Sequence, residues 1–472
     1  MITIADILEA LTDVRPEWGD LEVKKTVIDS RQCIPGALFI ALPGDNADGH
    51  DYVLDAFKKG ANVAIVHQEL RSEINIIDIR KAKSIDPNVQ IKFPLAFRVE
   101  DTLLALQDIA RFWRDKHNLR VIGITGSVGK STTKEVTAAV LEQRYRTLKN
   151  PGNLNNEIGL PLTLLHLDDN HQRAVLEMGF YVPGEIKFLC DIAKPKIGVI
   201  TNIGTVHAER AGSQDVIARG KAELVESLPE KPHGFAILNF DDPLVRDMAQ
   251  KTKAEVFFYG LDERADLWAD QVNGLGLEGI SFRLHYQNEV IHMKVPMIGR
   301  HSVHTVLRAA AVGLVEGLTW HEIVMGLRSG HTQLRLVAVR AKSGALLLDD
   351  TYNASPQSTL AALNLLDELE GYKVAVLGDM LELGQYEEIG HQMVGVRAAE
   401  VADHIVTVGE RARIIASSAK KAHLPNLAVT ELEDSEQAVE LLKHQLTPND
   451  IVLIKGSRGM KMEQIVSQLE ES

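Results

Sequence analysis

One stretch near residue 120 constrains most strongly what this chain of 472 residues can fold into. Residues 119–141 (LRVIGITGSVGKSTTKEVTAAVL) pass directly from an apolar run, through a turn with two glycines, into a segment typical of a helix. The apolar run, with Val121, Ile122 and Ile124, predicts a buried strand. We expect the helix to begin at Lys130. The sequence therefore predicts a strand, a tight turn and a helix in immediate succession.

This arrangement predicts a site that binds polyphosphate. Gly126 and Gly129 permit backbone geometry and close approach that a Cβ atom would resist, and N–H groups at such a helix start bind phosphate oxygens. In phosphate loops of this kind the lysine neutralises phosphate charge and the following hydroxyl ligates Mg²⁺. The residues that we expect around the phosphates are Gly126, Ser127, Gly129, Lys130, Ser131 and Thr132. Ile124 stands where the first glycine of the usual spacing belongs, and a glycine turn with an incidental lysine is the alternative.

Length and composition limit the function classes. A chain of 472 residues predicts about three domains. The net charge is −14 and no block of Lys and Arg occurs, which argues against nucleic acid or an anionic membrane as a partner. The sequence has no basic start before an apolar stretch and no apolar run of 18 residues, so we expect a cytoplasmic protein without membrane insertion. We also expect a monomer.

The two cysteines, Cys33 and Cys190, are far apart and in no C-x-x-C arrangement. They indicate neither a disulfide framework nor a zinc site. We expect both to be small core residues.

The order of apolar and helical segments predicts an α/β protein with three domains. Residues 1–96 alternate short strands with helices and predict a small α/β module. Residues 97–333 predict a doubly wound, mostly parallel sheet that contains the phosphate loop, with an antiparallel hairpin at 280–295. Residues 334–472 predict a second open α/β sheet.

Polar residues follow the predicted strands of the third domain. Ligands of open α/β sheets bind beyond the carboxyl ends of the strands, so these positions are candidates for a binding site. The segments concerned are residues 349–353, 378–380, 409 and 455–458.

Three residues of the central domain are candidates for metal or substrate binding. Glu177 follows a predicted strand and could hold Mg²⁺, although an acid in a solvated turn is the alternative. His207 follows the next strand, and by itself it is equally a hydrogen-bonded structural histidine. We expect residues 220–223 to begin a helix that points Lys221 toward the same crevice, whereas spacing alone favours a surface Lys–Glu pair.

Motifs along nearly the whole chain resemble those of the Mur ligase family of ATP-dependent amide-forming enzymes. The phosphate loop has the short form Thr-Gly-x-x-Gly-Lys-Ser at 125–131. The other matching segments are DSR, GDNADGHDY, PGNLNNEIGLP, DDTYNASP, LGDMLELG and KGSRGMKME. The resemblance implies an N-terminal domain for a UDP-linked substrate, a central ATP-binding domain and a Rossmann-like C-terminal domain.

The LGDMLELG and KGSR segments resemble the branch of the family that joins D-alanyl-D-alanine to a UDP-N-acetylmuramoyl-tripeptide in peptidoglycan precursor synthesis. That resemblance implies a reaction through an acyl phosphate. It also implies ATP and Mg²⁺ as cofactors.

The resemblance assigns roles to individual residues. Lys130, Glu177, His207 and Lys221 match the catalytic positions, and Lys221 matches a lysine that is carbamylated. The positions that match metal ligands are Ser131 and Glu177 for one magnesium, and His207 with Lys221 for a second.

Further positions match the nucleotide site of the family. Arg335 resembles a residue that reaches the phosphates, and Asp350 one that accepts from the ribose hydroxyls. Ser302 and Thr305 stand where the family has two asparagines that help to bind adenine, and Leu334 replaces a glycine. The positions that match substrate-binding residues are Ser30, Arg31, Gly44, Asp48, Gly49, His50, Asn155, Asn156, Asn353, Lys455, Ser457 and Arg458.

Two alternatives stay open at this point. The replacements at Ser302 and Thr305 leave room for a related ligase that adds a different amino acid. A nucleotide-dependent switch without catalysis would leave the metal-site residues and the motifs of the third domain without a role.

Overall fold

The computed structural model describes residues 1–44, 47–70, 74–80, 92–205, 208–329, 337–422 and 428–470. The chain forms two compact units. The first unit consists of Met1–Gly123, Tyr145–Gly179 and Glu185–Lys196, and the second of Ile124–Arg144, Phe180–Gly184 and Ile197–Ser472. These two units do not test the three predicted domains, so the domain boundaries at 96/97 and 333/334 stay a prediction.

The N-terminal part of the first unit is built on a parallel sheet of five strands in the order β1-β2-β3-β5-β4. The strands are β1 (Lys25–Val27), β2 (Ala37–Ile40), β3 (Ala61–Val66), β4 (Asn75–Asp78) and β5 (Leu95–Arg98). The helices of this part are α1 (Ile4–Thr12), α2 (Val53–Lys58) and α3 (Thr102–Asp115). Because β5 pairs within this sheet, the sheet extends two residues beyond the boundary that the sequence predicts.

The chain first passes between the units within β6 (Arg120–Thr125). The second unit then takes α4 (Lys130–Leu141). In the first unit, β7 (Thr147–Lys149) pairs in parallel with β8 (Arg173–Glu177). Two helices accompany these strands, α5 (Gly159–Leu164) and α6 (Glu185–Ala193).

The middle part of the second unit changes from parallel to antiparallel pairing. Strands β9 (Ile197–Ile200), β10 (Phe235–Asn239), β11 (Glu255–Gly260) and β12 (Leu267–Gly274) pair in parallel. Antiparallel pairing then adds β13 (Ile280–Tyr286) and β14 (Glu289–Val295), which confirms the hairpin predicted at 280–295. The helices are α7 (Ala208–Ala211), α8 (Gln214–Glu226), α9 (Pro243–Arg246), α10 (Ser302–Val315) and α11 (Trp320–Ser329).

The C-terminal part of the second unit has a sheet of six strands in the order β15-β16-β20-β17-β18-β19. Only β15 pairs in the antiparallel sense within it. The strands are β15 (Val337–Arg340), β16 (Leu346–Asp350), β17 (Tyr372–Gly378), β18 (His404–Val408), β19 (Ala428–Leu432) and β20 (Asp450–Lys455). The helices are α12 (Pro356–Glu368), α13 (Glu387–Val401), α14 (Arg413–Lys421), α15 (Ser435–Gln445) and α16 (Glu463–Leu469).

Both faces of this C-terminal sheet are buried. Along β17, Ala375 and Leu377 belong to a core that also contains side chains of α12, α13 and α14. Val374 and Val376 belong to a second core with side chains of α15 and α16. Since side chains of a strand alternate between the two faces, this pattern places helices on both sides of the sheet. The predicted open α/β sheet is confirmed.

No helix within the described residues is both long and apolar enough to cross a membrane. Neither cysteine forms a disulfide bond within the described residues. Cys190 is a core residue as predicted, whereas Cys33 is half-buried and packs against the edge of the N-terminal core.

A buried carboxylate ties the first helix to α3 within the first unit. Asp6 of α1 accepts hydrogen bonds from Arg15 at 2.7 Å and from Lys116 at 2.6 Å. Burial alone would raise the pKa of Asp6, but the hydrogen bonds from Lys116, Arg15 and Thr3 together hold that pKa well below its usual range.

We expect Asp6→Asn to lower the free energy of unfolding at pH 7 by about 2 kcal/mol, because both cations lose a buried partner. A lowered folded-state pKa contributes stability above the unfolded value near 4, and this contribution is lost as pH falls below it. The advantage of the wild type should therefore shrink below about pH 4 in denaturant titrations. Glu9→Gln is the matched control, since Glu9 contacts the same two cations but is more exposed. A difference between wild type and Asp6→Asn that does not change with pH would contradict the assignment.

Candidate functional site

The phosphate-loop sequence forms the predicted turn at the start of a helix. The strand β6 ends at Thr125, and α4 begins at Lys130 as the sequence predicts. Gly126 and Gly129 have φ values of +145° and +84°, a region that favours glycine. A Cβ atom on Gly126 would lie 1.9 Å from Oγ1 of Thr201, so no larger residue fits there without a shift.

The segment that follows β9 fixes the shape of this loop. The N–H of Ser127 donates to the carbonyl of Asn202 at 2.9 Å, and the N–H of Val128 donates to its side-chain oxygen at 3.0 Å. In return, the Thr201 hydroxyl donates to the carbonyl of Val128 at 2.7 Å. The buried Ser127 hydroxyl accepts from the N–H of Gly204 at 2.8 Å. The loop is therefore held by direct hydrogen bonds along its length.

Two lysines converge on one carbonyl of the loop. Lys130 Nζ donates to the carbonyl of Gly126 at 2.9 Å, and Lys221 Nζ donates to the same oxygen at 3.1 Å. Lys221 is 1% exposed, and its ammonium lies 4.6 Å from the centre of the Phe180 ring. The alternative interpretation of Lys221 as part of a surface Lys–Glu pair is therefore wrong. The expectation that residues 220–223 begin a helix is also wrong, since α8 begins at Gln214, where the hydroxyl of Ser213 caps it.

A cavity of about 370 Å³ within the second unit extends from the phosphate loop to the C-terminal sheet. Its volume is in the range typical of small-molecule sites. It gathers predicted residues that are far apart in sequence, namely Ser127, Gly129, Thr132, Ser302, Thr305, Asp350, Asn353 and Lys455. The ends of β16 and β20 therefore line the same cavity as the loop, whereas the predicted segments 378–380 and 409 do not.

A buried ion pair forms one wall of this cavity. Lys455, at the end of β20, donates to Asp350 at 2.6 Å and to the carbonyl of Asn353 at 2.9 Å. Lys455, which the family resemblance assigns to the side of the incoming dipeptide, lines the cavity that contains the phosphate loop. Ser457 is buried and accepts from the N–H of Leu381 at 2.8 Å, whereas Arg458 is exposed beside the ring of Tyr352.

The start of α10 also lines the cavity. The Ser302 hydroxyl donates to the carbonyl of Ile298 at 2.7 Å, and the Thr305 hydroxyl accepts from Arg308 at 2.8 Å. His304 contacts Asp241 at 2.8 Å. Desolvation by the surrounding side chains, with smaller effects of neighbouring cations, lowers the pKa of His301 to about 4, although the residue keeps exposed surface. His301 is therefore neutral at pH 7.

The carboxylate predicted at the end of β8 is buried within the first unit. Glu177 accepts from the Asn155 amide at 2.9 Å, and its own N–H donates to the side-chain oxygen of Asn150 at 2.9 Å. A hydrogen bond thus joins Glu177 and Asn155 within the first unit. Asn156 is exposed, and its side-chain oxygen accepts from the N–H of Gly159 at the start of α5 at 2.9 Å, which makes it a helix-capping residue here.

The residues predicted to bind substrate in the N-terminal part differ in their exposure and in their hydrogen bonds. Arg31 is 83% exposed in its side chain and pairs with Asp29, whereas the buried Ser30 donates to Asp55 at 2.7 Å. His50 is buried, with one ring nitrogen 2.6 Å from Asp48 and the other accepting from the N–H of His67. Gly44 and Gly49 lie at the two ends of the loop before α2, with Gly49 donating to Leu42. Both ring nitrogens of His50 are engaged in the fold.

Several predicted positions lie outside the described residues: Asp45, Asn46, His207, Leu334 and Arg335. Within the described ranges, no cluster of three or more His, Cys, Asp or Glu side chains is arranged to hold a metal ion.

The structure adds cavity residues that sequence reasoning missed, among them Asn202, Asn239, His301, His304 and Arg308. The available signal was in α10, where Arg308 interrupts the apolar run that continues as AAAVGLV. A charge inside an apolar helix face is uncommon unless it is paired or serves a site.

The fold and this site define a member of a ligase family. The model of the Mur ligase middle domain matches residues 124–313, and that of the Mur ligase glutamate ligase domain matches residues 334–458. The model named Mur ligase family, catalytic domain, matches residues 22–114. The chain belongs to the Mur ligase family, which confirms the resemblance drawn from its motifs.

Individual relatives are similar over the full length. A UDP-N-acetylmuramoyl-tripeptide–D-alanyl-D-alanine ligase of Bacillus subtilis (strain 168) is 35% identical, over 100% of this chain and 98% of that protein. A crystal structure of MurF from Acinetobacter baumannii has a TM-score of 0.84 at 32% identity, covering 99% of this chain and 98% of that one. MurF ligase from Thermotoga maritima in complex with ADP has a TM-score of 0.79 at 28% identity, covering 95% and 97%. These likenesses confirm the predicted fold class.

We expect Gly126→Ala to lower the midpoint temperature of thermal unfolding by about 5 °C more than Gly184→Ala does. Both glycines have positive φ, but a Cβ atom on Gly184 would meet nothing within 4 Å, so the control isolates the overlap with Thr201. Scanning calorimetry of the two variants beside the wild type measures the difference. Equal shifts would show that the loop can accept the added carbon.

Proposed function

We propose that this chain is an ATP-dependent ligase that joins D-alanyl-D-alanine to a UDP-N-acetylmuramoyl-tripeptide. The observation that carries the proposal is the 35% identity over essentially the whole of a ligase with that name. The phosphate loop and the cavity beside it provide the place for a nucleotide. A Mur-type ligase for another amino acid was the alternative, and the relatives at this level of similarity favour D-alanyl-D-alanine.

The proposed reaction has two steps. A carboxylate oxygen of the tripeptide attacks the γ-phosphorus of ATP, so that the new P–O bond replaces the bond to ADP. The amine of D-alanyl-D-alanine then attacks the carbonyl carbon of this acyl phosphate, phosphate leaves, and the amine loses a proton as the amide forms. The products are the amide, ADP and phosphate.

The loop suits the first step because negative charge moves onto the leaving phosphate. The N–H groups at the start of α4 and the ammonium of Lys130 supply fixed positive potential at this place. The loop is already pinned by Asn202 and Thr201, so the donors need little rearrangement to meet the phosphates.

Magnesium is proposed as the ion that neutralises the triphosphate. Ser131 offers a hydroxyl at the start of α4, and Glu177 offers a buried carboxylate within the first unit. Hydroxyl and carboxylate oxygens are ligands that Mg²⁺ prefers, so these donors fit the ion. Bound Mg²⁺ would offset phosphate charge. His207 keeps its proposed role as a ligand of a second ion.

Carbamylation of Lys221 is supported by its surroundings. Its ammonium and that of Lys130 donate to the same carbonyl, which brings two positive charges together in a largely buried place. A carbamate on Lys221 would replace this repulsion by attraction to Lys130 and provide an anionic oxygen ligand for a metal ion. We propose that Lys221 carries this modification in the active enzyme.

Other residues keep their predicted roles as proposals. Asp350 lines the cavity and would accept from the ribose hydroxyls, and Arg335 would reach the phosphates. The residues proposed for the UDP-linked substrate are Ser30, Arg31, Asp48, Asn155 and Asn156, and those for the dipeptide are Asn353, Ser457 and Arg458. Because ATP and UDP-linked precursors are cytoplasmic compounds, we place the reaction in the cytoplasm.

A coupled phosphate-release assay tests the function. The purified chain is given ATP, Mg²⁺, D-alanyl-D-alanine and a UDP-N-acetylmuramoyl-tripeptide that ends in either lysine or diaminopimelate. We expect phosphate release only when all substrates are present, and the faster tripeptide identifies the third residue. ATP hydrolysis that does not depend on D-alanyl-D-alanine would contradict the proposal.

We expect Lys130→Ala to reduce turnover in this assay by about 10³-fold, because the charge that develops on the phosphates loses its cation. The midpoint of thermal unfolding should stay close to that of the wild type, since Lys130 is half-buried and its hydrogen bonds to the carbonyls of Gly126 and Ser127 are local to the loop. Lys187→Ala is the control, since Lys187 is an exposed lysine on α6. Turnover above one tenth of the wild type would remove Lys130 from the mechanism.

Lys221→Ala should also lose most of its turnover, and formate or acetate should restore part of it by supplying the missing carboxylate. The same anions should leave Lys130→Ala unchanged, which separates chemical rescue from a general salt effect. The measurement is turnover against carboxylate concentration. An absence of rescue, together with no carbamate mass on the intact protein, would overturn the modification.

A further inference from the structure

Arg308 is a buried cation in the wall of the cavity that the proposed mechanism has not used. It lies on α10 and is 4% exposed, yet it lines the cavity together with Gly129 of the phosphate loop. Its NH2 nitrogen lies 3.3 Å from the position that a Cβ atom on Gly129 would take. The guanidinium is therefore beside the residue that caps the N-terminus of α4.

The partners of this guanidinium are neutral. NH2 donates to the Thr305 hydroxyl at 2.8 Å, and NH1 donates to the Tyr259 hydroxyl at 3.4 Å. Among the residues that the structure describes, no carboxylate lies within 4.0 Å of Arg308 to form an ion pair, and its Nε–H is buried without a hydrogen-bond partner. A buried charge in such surroundings is costly unless an anion joins it.

Tyr259 does not supply the missing negative charge. Its hydroxyl donates to the carbonyls of Ile200 and Thr201, at 3.1 Å and 3.2 Å. Complete burial, only partly offset by Arg308, raises the pKa of Tyr259 to about 12, so the phenol is neutral at pH 7. The same hydroxyl positions NH1 of Arg308, because Thr201 fixes both the tyrosine and the phosphate loop.

We infer that Arg308 is a nucleotide-binding residue that donates to a phosphate oxygen of ATP and ADP. This inference rests on the proposed function, since it assumes that the cavity binds a nucleotide. A guanidinium suits a phosphate because its N–H groups form a planar fork with several donors. Its position beside the cap of α4 favours a phosphate over the base, since that helix start is where phosphate oxygens bind. A contact to the base is the competing outcome of the test.

Titration calorimetry with ADP, AMP and adenosine tests the inference on the full chain. We expect Arg308→Met to weaken ADP binding by about 10- to 100-fold, because one charge-assisted contact is lost. The affinity of the variant for adenosine should stay within about threefold of that of the wild type, because adenosine has no phosphate to contact Arg308. Arg308→Lys should retain part of the ADP affinity, because it keeps the charge but not the fork.

Arg114→Met is the matched control. Arg114 is also a buried arginine, but it lies in the first unit and donates to main-chain carbonyls, those of Ala193 and His117. Its replacement should lower thermal stability and leave the ADP affinity of the folded protein unchanged.

The outcomes separate the possibilities. Unchanged ADP affinity of Arg308→Met, with only a lower unfolding temperature, would make Arg308 structural and overturn the inference. Adenosine binding weakened as much as ADP binding would place the contact on the base and overturn the phosphate assignment. If the wild type itself bound no ADP, the proposed function would fail, which is distinct from a variant that binds as well as the wild type.

Discussion

The site depends on the hydrogen bonds between the phosphate loop and the segment that follows β9. Thr201 and Asn202 bind Val128 and Ser127 directly, and the same Thr201 leaves room only for a glycine at 126. This contact sets the direction of the Gly126 carbonyl, on which both lysines converge. The backbone of the loop therefore determines where the two lysine ammonium groups lie. Such fixed donors lower the cost of reorganisation during a reaction.

The cavity is lined by two buried cations, Lys455 and Arg308, that differ in their partners. On one wall Lys455 is neutralised by Asp350, which holds the C-terminal strand ends in place. On the other wall Arg308 is held by hydroxyl groups alone among the described residues, so its charge remains available to a ligand. The two buried cations thus have different roles in the same cavity. Both cations are buried, so the role of each is indicated by its partners and not by its burial.

Local patterns made much of the fold predictable, whereas the details of the site depend on distant contacts. The apolar run, the two glycines and Lys130 are adjacent in sequence, so the strand, turn and start of α4 were predicted correctly. The central strands β17 and β20 were predicted because they are continuous apolar runs, whereas the edge strands β15 and β19, which are only partly buried, were missed. The charge of Arg308 within an apolar helix was a local signal, but its contact with Tyr259, 49 residues away, was not predictable. No local spacing signals such a contact.

The strand order of the C-terminal sheet has a consequence for synthesis on the ribosome. The strand β20, which is the last in sequence, lies between β16 and β17 and carries Lys455. The sheet therefore keeps a gap at its centre until residues 450–455 have emerged, and neither hydrophobic layer can close before then. The cavity that Lys455 lines therefore stays incomplete until β20 has been synthesised and inserted between β16 and β17.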